Sequence, residues 1–204
     1  MKAQVNVFVL TTFSALALHG APASADERSS QEVQVYGGEI FGDRLTETPI
    51  SRATPRLNDT ATFGARYTYG FNEMWGAQLS AGYSPGRAAH VASGDSNLGL
   101  TSVDLDAVLS LPTGFKIVPY AVLGVGYAWA NLDHDILGAA GTRLVAITDS
   151  NGYTANAGLG AKYYVTDNLF VDFDVRYRYF SKLVSQNGAG LNTAETTLGI
   201  GWRF

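Results

Sequence analysis

The stretch Leu169-Phe170-Val171-Asp172-Phe173-Asp174-Val175-Arg176-Tyr177-Arg178-Tyr179-Phe180 decides the fold. Every second residue from Leu169 to Tyr179 is apolar or aromatic, and Asp172, Asp174, Arg176 and Arg178 stand between them. A period of two puts successive side chains on opposite faces of a β-strand. One face of this strand seeks apolar surroundings, and the other carries four charges. The last stretch repeats the pattern. Ala194, Thr196, Leu198, Ile200, Trp202 and Phe204 share one face, and Glu195, Thr197, Gly199, Gly201 and Arg203 share the other.

A soluble sandwich also alternates, with its apolar face in a core and its polar face in water. The order of residues along the apolar face separates the two cases. Tyr177 and Tyr179 lie at one end of their strand, and Trp202 and Phe204 lie at the opposite height on the next. Rings at both ends of an aliphatic band suit the two interfaces of a bilayer. The pattern predicts an all-β fold, an eight-stranded antiparallel up-and-down transmembrane β-barrel.

The other strands extend this reading. A first strand is expected over about 32–40, with Val33 and Val35 outward and Gln34 and Tyr36 inward. Strands over about 60–71 and from Trp75 to Tyr83 flank the turn Asn72-Glu73-Met74. A fourth, about 102–111, and a fifth, about 115–130, flank Pro112-Thr113-Gly114. A sixth, about 155–165, meets the seventh at Thr166-Asp167-Asn168. On the fifth strand, Gly124 and Gly126 face inward and leave room in a narrow lumen. Long polar connections over 42–59, 84–97, 131–152 and 181–192 alternate with these short turns. Outer-membrane barrels have this asymmetry, with short periplasmic turns and longer external loops. Interface rings are expected at Trp75, Tyr83, Phe115, Tyr127, Trp129, Tyr163, Tyr177 and Tyr179.

The chain has 204 residues, of which 46% are hydrophobic and 16% charged. Past the N-terminal segment no apolar run is long enough for a membrane helix. Cysteine is absent, which excludes disulfides, zinc–thiolate sites and a cysteine nucleophile. The net charge of −4 comes without a basic cluster, so a nucleic-acid partner is not expected. Residues 1–25 read as a signal peptide: Lys2, an apolar stretch from Val5 to Leu18, then Ala23-Ser24-Ala25 as the cleavage site. One domain, the barrel over 26–204, is expected to follow. Secretion and the β-pattern together place it in the outer membrane of a Gram-negative cell.

Pro119-Tyr120-Ala121-Val122-Leu123-Gly124-Val125-Gly126-Tyr127 and the ending Gly199-Ile200-Gly201-Trp202-Arg203-Phe204 carry a family likeness. The chain resembles the small eight-stranded outer-membrane barrels: the OmpA-like transmembrane domain, the opacity-type surface proteins and OmpW. The resemblance covers residues 32–204. It implies that the barrel-assembly machinery reads the C-terminal strand at Ile200, Trp202 and Phe204. Outer-membrane lipids and lipopolysaccharide are the other implied partners.

Facing inward, the alternation places Arg66, Lys116, Lys162, Arg176, Arg178 and Arg203 against Asp104, Asp106, Asp172, Asp174 and Glu195. An antiparallel register centred on the turns sets Lys162 opposite Asp172 and Arg178 opposite Glu195. Arg203 is a second expected partner for Asp172. Eight strands enclose a lumen just wide enough for side chains to fill. The near balance of charge therefore reads as a structural plug of ion pairs. The alternative is a narrow gated conduit.

Catalysis is not expected. Some barrels of this size modify lipid A with a serine, a histidine and an acid. Beyond His19 in the signal segment, the chain has His90 and His134, both in expected loops. Asp133 and Asp135 flank His134, but a solvated loop histidine explains it as well. No Gly-x-Ser-x-Gly elbow or paired-histidine metal motif occurs, so no metal or cofactor is expected. The expected function is envelope integrity and contact with host or environmental ligands through four external loops. The alternatives are a pore for small or hydrophobic solutes and a lipid A-modifying enzyme.

Overall fold

The computed structural model describes residues 29–41, 56–57, 59–89, 96–132, 136–140, 143–147, 150–181 and 191–204. Its strands in chain order are β1 (Ser30–Phe41), β2 (Arg56–Leu57), β3 (Thr60–Gly70), β4 (Trp75–Ala89), β5 (Ser96–Ser110) and β6 (Ile117–Leu132). They continue as β7 (Ile136–Ala140), β8 (Arg143–Ile147), β9 (Ser150–Tyr164), β10 (Leu169–Phe180) and β11 (Leu191–Arg203).

Eight of these strands, β1, β3, β4, β5, β6, β9, β10 and β11, form one antiparallel sheet that closes on itself through β1–β11 and β4–β5. Closure leaves no unpaired sheet edge, which a lipid environment requires. The ladder can be followed around the wall from Leu169 through Trp202, Val33, Tyr67, Leu79, Leu105, Val125 and Ala155 to Tyr179. It returns to β10 ten residues from its start. Such a stagger tilts the strands and fixes the width of the barrel.

The three short connections fall where the sequence predicts, the middle one longer, from Leu111 to Lys116. Asn72 Oδ1 accepts from the backbone N–H of Met74 at 2.9 Å and of Trp75 at 2.7 Å. Thr166 Oγ1 accepts from Leu169 N–H at 2.9 Å. In the middle turn, Thr113 Oγ1 donates to Ile117 O at 2.6 Å, and Gly114 adopts a φ of 72°. That left-handed conformation suits glycine, which has no Cβ to clash.

The long connections differ in detail. Strands β4 and β5 continue past the expected ends to Ala89 and back to Ser96. Between β6 and β9 the chain forms a separate hairpin, β7–β8, and β2 pairs with the far end of β4. Residues 1–28, including the expected signal peptide, His19 and the cleavage site, lie outside the described residues, as do His90 and His134.

The outer wall is apolar in its middle and aromatic at both ends. Near the turns stand Trp75, Tyr163 and Trp202, each about half exposed. Near the loop end stand Tyr83, Tyr127, Trp129, Tyr177 and Tyr179, half-exposed or partly buried. Val35, Leu105, Leu123, Val125, Leu159, Phe173 and Leu198 form the band between them. Tyr177 and Tyr179 lie eight and ten residues along β10 from Leu169, the ladder partner of Trp202. At the rise of a tilted strand this separates the two rings of aromatics by roughly 20–24 Å, close to the apolar band of outer-membrane barrels.

Candidate functional site

The lumen holds the unusual chemistry of this chain. In an eight-stranded barrel inward side chains can also meet across the axis, so a residue's partners need not be its ladder neighbours. Three clusters of charge follow one another from the turn end toward the loop end.

The first lies at the turn end. Glu32 on β1 takes Lys162 from β9, Arg203 from β11 and the hydroxyl of Tyr164. Arg203 Nε and Nη2 donate to Glu32 Oε1 at 2.9 and 2.7 Å, and Tyr164 donates to the same oxygen at 2.7 Å. Lys162 pairs with Glu32 Oε2. Arg203 also stacks over the Tyr164 ring, 4.1 Å from its centroid. A cleft of about 290 Å³ opens here, with Glu32, Thr68, Ser110, Lys162 and Arg203 in its lining.

The second cluster fills the middle. Arg176 on β10 is fully buried and bridges Asp174 through Nε at 2.7 Å and Asp106 through Nη1 at 2.8 Å. Its Nη2 donates to Gln78 Oε1 at 2.7 Å. Arg66 reaches Asp172 and Asp174, both at 3.3 Å, and lies over the Tyr36 ring. Gln34 Nε2 donates to Asp172 Oδ2 at 2.7 Å. The Tyr120 hydroxyl lies 2.8 Å from Asp172 Oδ1 and 2.9 Å from Asp174 Oδ2.

In the third cluster Arg178 joins two acids, Asp104 at 2.7 Å and Glu195 at 3.0 Å. Ser102 and Thr154 complete it, accepting from Arg178 at 3.0 Å and donating to Asp104 at 2.5 Å. Above this, Ile40, Leu100, Ala128, Ala130 and Phe180 face inward near the loop end and are buried. Ser84, the ladder partner of Leu100, is buried at the same height in this otherwise apolar layer.

Glycines on β6 make the clusters possible. A Cβ on Gly124 would sit 1.8 Å from Asp106 Oδ1, and one on Gly126 would sit 2.4 Å from Asp104 Oδ1. The sequence reading of these two positions as space-makers holds, and the acids occupy that space.

Of the expected lumen charges, Arg66, Asp104, Asp106, Lys162, Asp172, Asp174, Arg176, Arg178 and Glu195 are buried inside, and Arg203 is partly buried at the mouth. Lys116 is a correction. It lies exposed in the turn before β6, because alternation has structural meaning only once the ladder begins at Ile117. Phe115 lies in the same turn and is 82% exposed.

The partner assignments also change. Lys162 is opposite Asp172 in the ladder, yet its ion pair is with Glu32. Asp172 pairs with Arg66 across the lumen, not with Lys162 or Arg203. Glu195 is the ladder partner of Arg176, two residues from the expected Arg178, because centring a long connection does not fix register. Arg178 nonetheless reaches Glu195 by leaning along the strand. Glu32 is the residue that sequence reasoning missed. Its inward parity with Gln34 and Tyr36 was the available signal.

Solved structures share this architecture. Neisserial surface protein A aligns with a TM-score of 0.61 at 17% identity, covering 87% of this chain and 100% of that one. OprG of Pseudomonas aeruginosa gives 0.56 at 15% identity, over 87% and 97%. Ail, the attachment invasion locus protein of Yersinia pestis, gives 0.51 at 18%, over 87% and 99%. No curated protein sequence matches the chain. The family described as outer membrane protein beta-barrel domain matches residues 11–204. With its closed eight-stranded wall and the extent of that match, the chain belongs to the outer membrane protein beta-barrel domain family.

Proposed function

We propose that the chain is a non-enzymatic surface barrel that supports envelope integrity and makes surface contact through its external loops. The observation that carries this reading is the filled lumen. Charged side chains bridge it from wall to wall, and an apolar layer of Ile40, Leu100 and Phe180 stands between them and the loop end. A barrel filled in this way serves as a scaffold, leaving its loops as the interacting part. In this reading the segment 1–25 is cleaved after Ala25, and the short turns face the periplasm. Outer-membrane lipids and lipopolysaccharide contact the wall between the aromatic rings, and the assembly machinery reads Ile200, Trp202 and Phe204. These three side chains point outward and are about half or more exposed, as such recognition needs. The shared architecture with Ail, named for attachment, supports contact as the loop function.

The test compares the full barrel with a variant whose four long connections are replaced by short turns. Both are expected to insert and preserve resistance to detergents, and only the full barrel is expected to retain binding to host matrix proteins. Equal binding by the trimmed barrel would remove the loops from the function. Acyl-chain changes in lipid A on expression would replace the non-enzymatic reading with the enzymatic one.

A further inference from the structure

Tyr120 has one proton to donate and two carboxylates to satisfy. Its hydroxyl lies 2.8 and 3.0 Å from the two oxygens of Asp172 and 2.9 Å from Asp174 Oδ2. A phenol donates one hydrogen bond and otherwise only accepts. With both acids ionised, one of these short contacts would oppose lone pairs across a buried site. A proton on one acid removes the conflict, since that acid donates to the Tyr120 oxygen while Tyr120 donates to the other.

The wider charge count makes the same demand independently. Across the described lumen, Glu32, Asp104, Asp106, Asp172, Asp174 and Glu195 face Arg66, Lys162, Arg176, Arg178 and Arg203. Six carboxylates thus face five cations, one acid in excess, and all of these groups but Arg203 are buried. Uncompensated charge in such a place is costly, and protonation is the usual relief.

We propose that the barrel contains a proton-binding site at neutral pH, in which Asp172 is a carboxylic acid that donates to Tyr120, and Tyr120 donates to Asp174. The surroundings assign the proton to Asp172. Asp174 takes Arg176 Nε at 2.7 Å as well as Arg66, whereas Asp172 has only the longer 3.3 Å contact with Arg66 and the neutral amide of Gln34. The other groups facing the site are Gln78 on β4, Asp106 on β5, Lys162 on β9 and Thr197 on β11. Asp106 is held by Arg176, Lys162 by Glu32, and Thr197 accepts from Arg66 at 3.2 Å, so none of these supplies the missing proton.

The test is infrared spectroscopy of the refolded barrel in lipid vesicles in heavy water at neutral pH. The wild type is expected to show the carbonyl stretch of a protonated carboxylic acid, and Asp172→Asn is expected to lose one such band. An amide in place of a neutral acid keeps a donor toward Tyr120, so Asp172→Asn is also expected to fold with an unchanged thermal midpoint. Asp174→Asn, which removes an ionised partner of two arginines, is expected to lower that midpoint. The exposed Lys116→Gln serves as a control and keeps every band. The proposal is overturned by a wild type without an acid band, by Asp172→Asn retaining all of it, or by failure of Asp172→Asn to fold. A band that disappears with added sodium would also overturn it, by placing a metal cation where the proton is assigned.

Discussion

Arg176 on β10 and Asp106 on β5 meet across the barrel, Nη1 to Oδ2 at 2.8 Å, with both side chains wholly buried. Neither strand neighbours the other in the wall. This ion pair therefore ties together opposite sides of the sheet, which ladder hydrogen bonds join only by going around. Asp174 and Gln78 hold the same guanidinium, so Arg176 has fixed partners on three strands.

Removing one member leaves a buried charge without its partner. Arg176→Ala and Asp106→Ala are each expected to destabilise the barrel by about 3–5 kcal/mol. The double variant should cost less than the sum of the two, because the second change removes a charge already stranded. Urea unfolding of the refolded protein in vesicles measures all three. Additive effects near zero would indicate water-screened charges.

Arg178 is shared between Asp104 and Glu195. Arg178→Ala strands two carboxylates, whereas Glu195→Ala strands none, because Asp104 still holds the arginine. The arginine change is expected to be the more damaging in the same unfolding measurement, by about 1 kcal/mol or more. Equal effects would mean that Asp104 does not share the guanidinium.

Gly124 tests the packing. Its absent Cβ would lie 1.8 Å from Asp106 Oδ1, and Arg176 and Asn156 prevent that carboxylate from moving aside. Gly124→Ala is expected to cost about 1–3 kcal/mol, as overpacking does. Gly37→Ala provides the contrast, since its Cβ would point outward with its nearest neighbour at 3.9 Å. Gly37→Ala should leave stability nearly unchanged.

Phe204→Ala is expected to slow insertion in cells more than it weakens the folded barrel. The ring is 68% exposed on the outer wall and contributes little to packing. Heat-modifiable mobility on gels, followed over time after induction, separates assembly rate from final stability. An unchanged rate would remove Phe204 from the recognition signal.

The wall of this barrel was legible from residues alone because lipid and lumen impose opposite demands on alternate positions. Leu169 to Phe180 shows both demands without interruption, and β10 has the expected bounds. Glu32 was overlooked because Gly37 and Gly38 blur the alternation of β1. Lys116 was misplaced because parity was extended into a turn, where it has no meaning. Partners within the lumen were the least legible part. Asp172 meets Arg66 from a strand more than a hundred residues away in sequence, through a stagger that only the closed ladder reveals. Spacing along one strand carries no information about that meeting.

The central claim is that the lumen is filled, and ion conductance through the purified barrel in a planar lipid bilayer tests it most directly. The account predicts no steady current under an applied potential, because the Arg176 and Arg178 networks and the buried side chains of Ile40, Leu100 and Phe180 fill the lumen. Stable, reproducible single-channel steps from the wild-type protein, persisting after removal of detergent, would contradict it.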